Sequence, residues 1–211
     1  MDLYFAPLAC SMATRIALYV AGASARFVQV DLKLKRLHDG SDFLAVNPMG
    51  QVPVLRTDEG RLLQENPVVL QYVADRFPAA DLAAPSGIER YRLQQWLNFI
   101  GTELHKQVFI PQLDRTSPDG AKAFAGGKMG HRFAYLSAQL EGRAFLLDHF
   151  TVADAYLTTV LNWASPTGID LAAWPVVQSY FQRMQHLPSV ARALKEELAL
   201  HRAEQAHRAI A

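Results

Sequence analysis

Residues 47–75 read NPMGQVPVLRTDEGRLLQENPVVLQYVAD. Asn47, Pro48, Met49 and Gly50 have the composition of a turn, Val52 to Leu55 that of a short apolar strand, and Asp58, Glu59 and Gly60 that of a second turn. A second strand from Arg61 to Leu63 follows, and Glu65, Asn66 and Pro67 open an amphipathic helix. Pro53 is the odd residue, because a proline cannot donate to a sheet ladder and belongs at an edge, a strand start or a bulge. A cis Val52–Pro53 bond would account for it, turning the Val52 N–H and C=O outward as a rung for an extended peptide. Asn66 suits an N-cap and Pro67 the first helical position, so the positive end of the helix dipole faces the residues before it and favours a carboxylate. Rung and helix end together describe a site for a small acidic peptide with a free carboxylate. A plain hairpin and helix with an edge proline is the alternative.

Upstream, Leu3 to Phe5 reads as a strand and Ala6 to Ala9 as a loop. Cys10 or Ser11 then caps a helix whose apolar positions Ile16, Ala17, Val20 and Ala21 recur at helical spacing up to Gly22. Phe27 to Leu32 is a second strand, followed by a charged connection from Lys33 to Gly40, so the order is βαβ and then ββα with Pro53 starting the third strand. That order belongs to a small sheet with helices packed on its faces. Composition changes after Pro78, and no strand pattern appears beyond it. The pattern predicts a domain over residues 1–78, a linker over 79–87 and an all-helical domain over 88–211. Its helices are expected at Ile88 to Phe109, stopping at Pro111, and at Ala121 to Leu140, divided into two by Gly126, Gly127 and Gly130. Thr151 and Asp154 form a capping box with a partly buried aspartate, opening an apolar helix through Trp163. Pro175 to Met184 and Val190 to Leu200 are the last helices, and the tail from His201 to Ala211 is expected to fray.

Half of the 211 residues are hydrophobic and the net charge is +1, so a full core can form and nothing draws the chain to nucleic acid or an acidic membrane. No apolar run reaches membrane-spanning length and the N-terminus lacks the pattern of a signal peptide, from which a cytoplasmic location is expected. The single cysteine, Cys10, cannot form an internal disulfide. It is either a buried apolar residue or a thiol with a task, and its place where a loop enters a helix lowers the thiol pKa. In the run Cys10, Ser11, Met12, Ala13, alanine stands where a dithiol oxidoreductase carries its second cysteine, so a disulfide at Cys10 must be released by an outside thiol. His38, His131, His149, His186, His201 and His207 lack metal-ligand spacing, and no metal is expected.

Five segments in this order and spacing resemble the cytosolic glutathione transferases, most closely their bacterial beta class. They are LYFAPLACSMATRIAL at residues 3–18, DFLAVNPMGQVPVL at 42–55, ENPVVLQYVAD at 65–75, WLNFIGTELHK at 96–106 and HFTVADAYL at 149–157. The resemblance implies the glutathione transferase fold: a thioredoxin-like α/β N-terminal domain, an all-α C-terminal domain that forms the second-substrate site, and a homodimer. By the same analogy Val52, before cis Pro53, pairs its backbone with the cysteinyl part of glutathione. Glu65 and Asn66 hold the γ-glutamyl end, and Lys35 and Gln51 lie near the glycyl carboxylate and the peptide. Asn98, His105 and Lys106 match positions beside the glutathione or its cleft. Position 66 is commonly serine in the family, whereas here it is asparagine. Activity is expected to be conjugation of glutathione, the co-substrate, to small hydrophobic electrophiles in detoxification, with thiol transfer or peroxide reduction through a Cys10–glutathione mixed disulfide. For activating the thiolate Cys10 ranks first, Ser11 second and Tyr4 third, and His105 is a contributor that polarises a substrate or a water. Phe109 and Trp163 are read as core aromatics that could also line the second-substrate pocket. A non-enzymatic ligand carrier or regulatory module on the same fold is the competing reading, as is a glutaredoxin-like reductase.

Overall fold

A computed structural model of the chain describes residues 1–84 and 86–210. The chain divides into two compact units, one of residues 1–82 with 188–211 and the other of residues 83–187.

The first unit is built on a five-stranded sheet in the order β3-β2-β1-β4-β5. Strand β1 (Asp2–Phe5) lies parallel to β2 (Arg26–Asp31), with Leu3 opposite Phe27, and antiparallel to β4 (Val54–Arg56), with Leu3 opposite Leu55. A parallel pair needs a long crossover, and helix α1 (Met12–Val20) supplies it. Leu3, Tyr4 and Phe5 are all buried, as in a central strand covered on both faces. The edge strands β3 (Arg36–Leu37) and β5 (Leu62–Gln64) are short, which leaves little open ladder for other chains to pair with. Strand β3 lies within the stretch Lys33 to Gly40 read from sequence as a connection, and the 3-10 turn Phe43–Ala45, capped by Asp42 Oδ1 on the Leu44 amide at 2.9 Å, follows it. This mixed sheet with its helices is the expected thioredoxin-like arrangement.

Helix α2 (Asn66–Arg76) begins one residue earlier than the capping argument expects. Glu65, with φ of +65°, occupies the N-cap position, and its carbonyl accepts from the Val68 and Val69 amides at 3.0 and 2.9 Å. Asn66 is therefore inside the helix, and its side chain is free to point elsewhere. Helix α1 packs against α2 and against α8 (Pro188–Ile210). The helical tail also corrects the expected fraying, since residues 201–210 continue α8, while Ala211 lies outside the described residues. The last helix clusters with the sheet unit instead of with residues 88–187, because Arg15 and Glu197 join α1 to α8 through a buried ion pair at 2.8 Å. The expected linker is anchored as well, since Leu82 is 1% exposed; Pro85 of that linker lies outside the described residues.

The second unit is helical. Helix α3 (Gly87–Phe99) runs on into a π-helical stretch, Ile100–Phe109, and then into α4 (Ile110–Leu113). Pro111 does not stop it, because it falls in the first turn of α4, where a missing N–H is tolerated. Helix α5 (Asp119–Leu140) is continuous through Gly126, Gly127 and Gly130, which corrects the expected division. Burial of Ala125, Phe133, Leu136 and Leu140 along one side outweighs the roughly 1 kcal/mol by which each glycine disfavours helix. A Cβ at Gly127 or Gly130 meets nothing within 4 Å. The double substitution Gly127→Ala/Gly130→Ala is therefore expected to raise stability by about 1–2 kcal/mol, seen as a higher urea midpoint at unchanged slope. A lower midpoint would mean that these positions face a partner surface. Helices α6 (Val152–Leu161) and α7 (Pro175–Gln185) complete the unit.

Candidate active site

The residues singled out in the first unit converge on the cis Val52–Pro53 bond. The Cys10 thiol donates to the Val52 carbonyl at 3.1 Å, while the Val52 N–H has no hydrogen-bond partner among the described residues. Asn66, 4% exposed, donates from Nδ2 to the Cys10 carbonyl at 2.9 Å, and its buried Oδ1 has no partner among the described residues. The start of α2 and the Cys10 loop are thus tied together directly.

The turn before Val52 is held as tightly. Lys35 Nζ donates to the Gly50 carbonyl at 2.9 Å, and Asn47 Nδ2 donates to the Gln51 carbonyl at 2.7 Å. Gly50 has φ of +61°, a backbone conformation that favours glycine, and a Cβ there would lie 2.9 Å from Lys35 Cδ and displace the lysine stem. The side chains of Gln51 and Glu65 are exposed beside these buried anchors. The pairing of Val54 with Gln64 brings the open donor at Val52 near the exposed Glu65 carboxylate and the helix start, and Lys35 is held on the turn before Val52. They match the charges of a peptide bearing two carboxylates and an ammonium.

Two expected candidates are corrected by the geometry. Ser11 stands at the N-cap of α1 but is fully buried, its Oγ donating to the Ala6 carbonyl and accepting from the Ala6 amide, both at 3.3 Å. The hydroxyl fixes the loop and does not face an open surface. Tyr4 is 3% exposed within β1, its ring tilted against Phe43 at 6.1 Å.

Sequence reading missed a second network behind the loop. Glu197, 0% exposed, accepts from Arg15 Nε at 2.8 Å with one oxygen and from the Leu8 amide at 2.7 Å with the other. The Arg15 guanidinium lies 4.3 Å from the Phe5 ring centroid and 4.0 Å from that of Phe27, and it also reaches Tyr19 and Glu196. Burial pushes the Glu197 carboxyl up to about 7, against the pull of Arg15 and of the Leu8 N–H. The signal available in sequence was Arg15 on the apolar face of α1, four residues before Tyr19.

In the helical unit, His105 is 5% exposed, its Nδ1 lying 2.7 Å from the Tyr156 hydroxyl and its ring 4.9 Å from that of Trp163. Burial, helped by the neighbouring Lys106 charge, lowers its pKa to about 4, so it is neutral at physiological pH. Asn98 is exposed and folds back onto the Gln94 carbonyl at 2.8 Å, and Lys106 is exposed. Phe109 is 0% and Trp163 6% exposed, with ring centroids 6.0 Å apart. Both fill the core of this unit and do not line an open pocket there, Phe109 meeting the rings of Phe133 and Trp163. No group of histidine, cysteine and carboxylate side chains among the described residues could hold a metal ion, and no described helix is long and apolar enough to cross a membrane.

The low pKa of His105 has a consequence for stability. Between about pH 6.5 and pH 4 the unfolded chain binds a proton at this histidine that the folded chain does not, so stability rises with pH across that window and is lost as pH falls through it. The loss is expected to be about 3 kcal/mol, and His105→Gln is expected to flatten the profile of urea midpoint against pH. An equally steep profile in the variant would contradict this assignment.

Residues 1–75 match the glutathione S-transferase N-terminal domain and residues 104–188 the C-terminal domain. The chain is 40% identical over 199 residues to glutathione S-transferase GstA of Escherichia coli O157:H7, covering 93% of this chain and 98% of that protein. Among solved structures it is similar to a sphingomonad glutathione S-transferase complexed with glutathione, with a TM-score of 0.89 at 43% identity, covering 93% of this chain and 98% of the other. It is also similar to the bacterial beta class glutathione S-transferase of Sphingomonas chungbukensis, with a TM-score of 0.89 at 42% identity and the same coverage. With matches along both of its parts and across nearly the full length of these relatives, the chain belongs to the glutathione S-transferase family.

Proposed function

We propose that the chain binds glutathione along Val52 and adds it to small apolar electrophiles, and that Cys10 also exchanges disulfides with it. The observation that carries this reading is the Val52 peptide unit, whose N–H has no partner among the described residues and whose carbonyl holds the Cys10 thiol at 3.1 Å. A cysteinyl backbone paired there brings its sulfur beside Sγ of Cys10. The γ-glutamyl carboxylate seats at the start of α2 with Glu65 opposite its ammonium, and Lys35 and Gln51 serve the glycyl end. The solved sphingomonad relative bound to glutathione supports the same ligand.

In conjugation the glutathione thiolate attacks the electrophilic carbon, a sulfur–carbon bond forms, the leaving group departs with its electron pair, and the thiol proton passes to solvent. In exchange the Cys10 thiolate attacks a glutathionyl disulfide, releasing the other thiol. A second glutathione then attacks the mixed disulfide, restoring Cys10 and leaving as oxidised glutathione. The chain is expected to work as the dimer usual in its family. Retention on immobilised glutathione followed by turnover of an aryl halide tests the reading. Retention with no turnover would favour a ligand carrier, and absence of both would contradict it.

A further inference from the structure

We infer that Glu197, on the last helix, is a positioning residue for the Cys10 thiol. The inference rests on the reading of Cys10 and Val52 as the thiol-handling site. The loop from Ala6 to Ser11 carries the cysteine, and at its middle Leu8 has φ of +60°, a conformation that side chains other than glycine adopt at a penalty. Such a turn persists where its surroundings hold it. Glu197 Oε2 does so by accepting the Leu8 amide at 2.7 Å, two residues before Cys10.

The carboxylate itself cannot swing away. Its other oxygen is bonded to Arg15 Nε at 2.8 Å, and the Arg15 guanidinium packs over the rings of both Phe5 and Phe27. Arg15 has a second partner in Glu196, which lies 3.3 Å from Nη1, is partly exposed and is also bonded by Tyr19, but among the described residues Glu196 makes no bond to the loop. Burying a carboxylate is costly unless it is paired and hydrogen-bonded, and here Arg15 and the Leu8 amide together supply that compensation. Glu197, unlike Glu196, accepts from the Leu8 amide, and through that amide it holds the loop that carries the thiol 3.1 Å from the Val52 carbonyl.

Glutamine at 197 offers one acceptor oxygen to two donors, so Glu197→Gln loosens the loop without removing side-chain volume. In the full-length protein, alkylation of Cys10 by iodoacetamide is expected to quicken by about three- to tenfold, the equivalent of one lost hydrogen bond, with KM for glutathione rising by a similar factor. Glu196→Gln disturbs the same arginine without touching Leu8 and is expected to leave both within about twofold. A folded Glu197→Gln protein with the wild-type alkylation rate would overturn the inference, as would an equal change in Glu196→Gln. Should Glu197→Gln not fold, hydrogen exchange of the Leu8 amide in the wild-type protein decides: slow exchange is expected, and exchange at the rate of an unbonded amide overturns the role. Alkylation needs no glutathione, so a wild-type protein without glutathione affinity would sink the proposed function while the alkylation rates still judge Glu197.

Discussion

Asp154→Ala is expected to lower the unfolding free energy by about 3–5 kcal/mol, since it strips the acceptor from buried donors and leaves them unpaired. Four bonds meet at this fully buried carboxylate. Oδ1 accepts from the Leu146 amide at 2.9 Å and from the Tyr180 hydroxyl at 2.8 Å, and Oδ2 accepts from the Thr151 amide at 2.9 Å and from its hydroxyl at 3.0 Å. Burial pushes the carboxyl pKa up, while the four donors pull it down by favouring the ionised form. The side chain therefore does more than close the capping box of α6: it joins that helix start to the segment before it and to α7. Asparagine should restore only part of the loss, because its amide would face donors. Thermal unfolding followed by circular dichroism should show a midpoint lowered by roughly 6–20 °C. A shift under a few degrees would mean that the helix start is held by other contacts.

Cys10→Ala is expected to abolish disulfide reduction and the glutathione mixed disulfide altogether, because no other cysteine exists in the chain. Conjugation should respond far less. There the nucleophile belongs to the co-substrate, and Cys10 offers it at most one hydrogen bond, so the rate should fall by no more than about tenfold. The two activities measured on one preparation separate the roles. If both vanish while the protein stays folded, Cys10 is needed for holding the glutathione thiolate as well as for exchange. If disulfide reduction survives, the reaction does not pass through Cys10 at all.

The path from sequence to site ran furthest where one local rule sufficed. Pro53 in an apolar run pointed to an edge, a strand start or a bulge and to a cis bond, and Thr151 with Asp154 pointed to a helix start; the cis bond is present, with Pro53 just ahead of the interior strand β4, and so is the helix start. Where several weak preferences compete, the outcome belonged to tertiary contacts. No propensity places glutamate at φ of +65°, yet Glu65 takes the cap and frees Asn66 to bond the Cys10 carbonyl. Three glycines argued for a break in α5, but the apolar side of that helix kept it whole. The π-helical stretch carries no composition signal of its own; Phe109 on it is in the core as its aromatic side chain suggested, while the burial of His105 was not legible. Glu197 was invisible for a different reason. In the run Lys195, Glu196, Glu197 it looks like part of a solvated face, and only the packing of α1 on α8 buries it.

A crystal structure of the protein soaked with reduced glutathione tests the central claim most directly. The tripeptide should lie with its cysteinyl amide and carbonyl against Val52, its sulfur beside Cys10 Sγ and its γ-glutamyl end at the start of α2. A protein that takes up no glutathione under saturating conditions, or holds it away from Val52, would contradict the account.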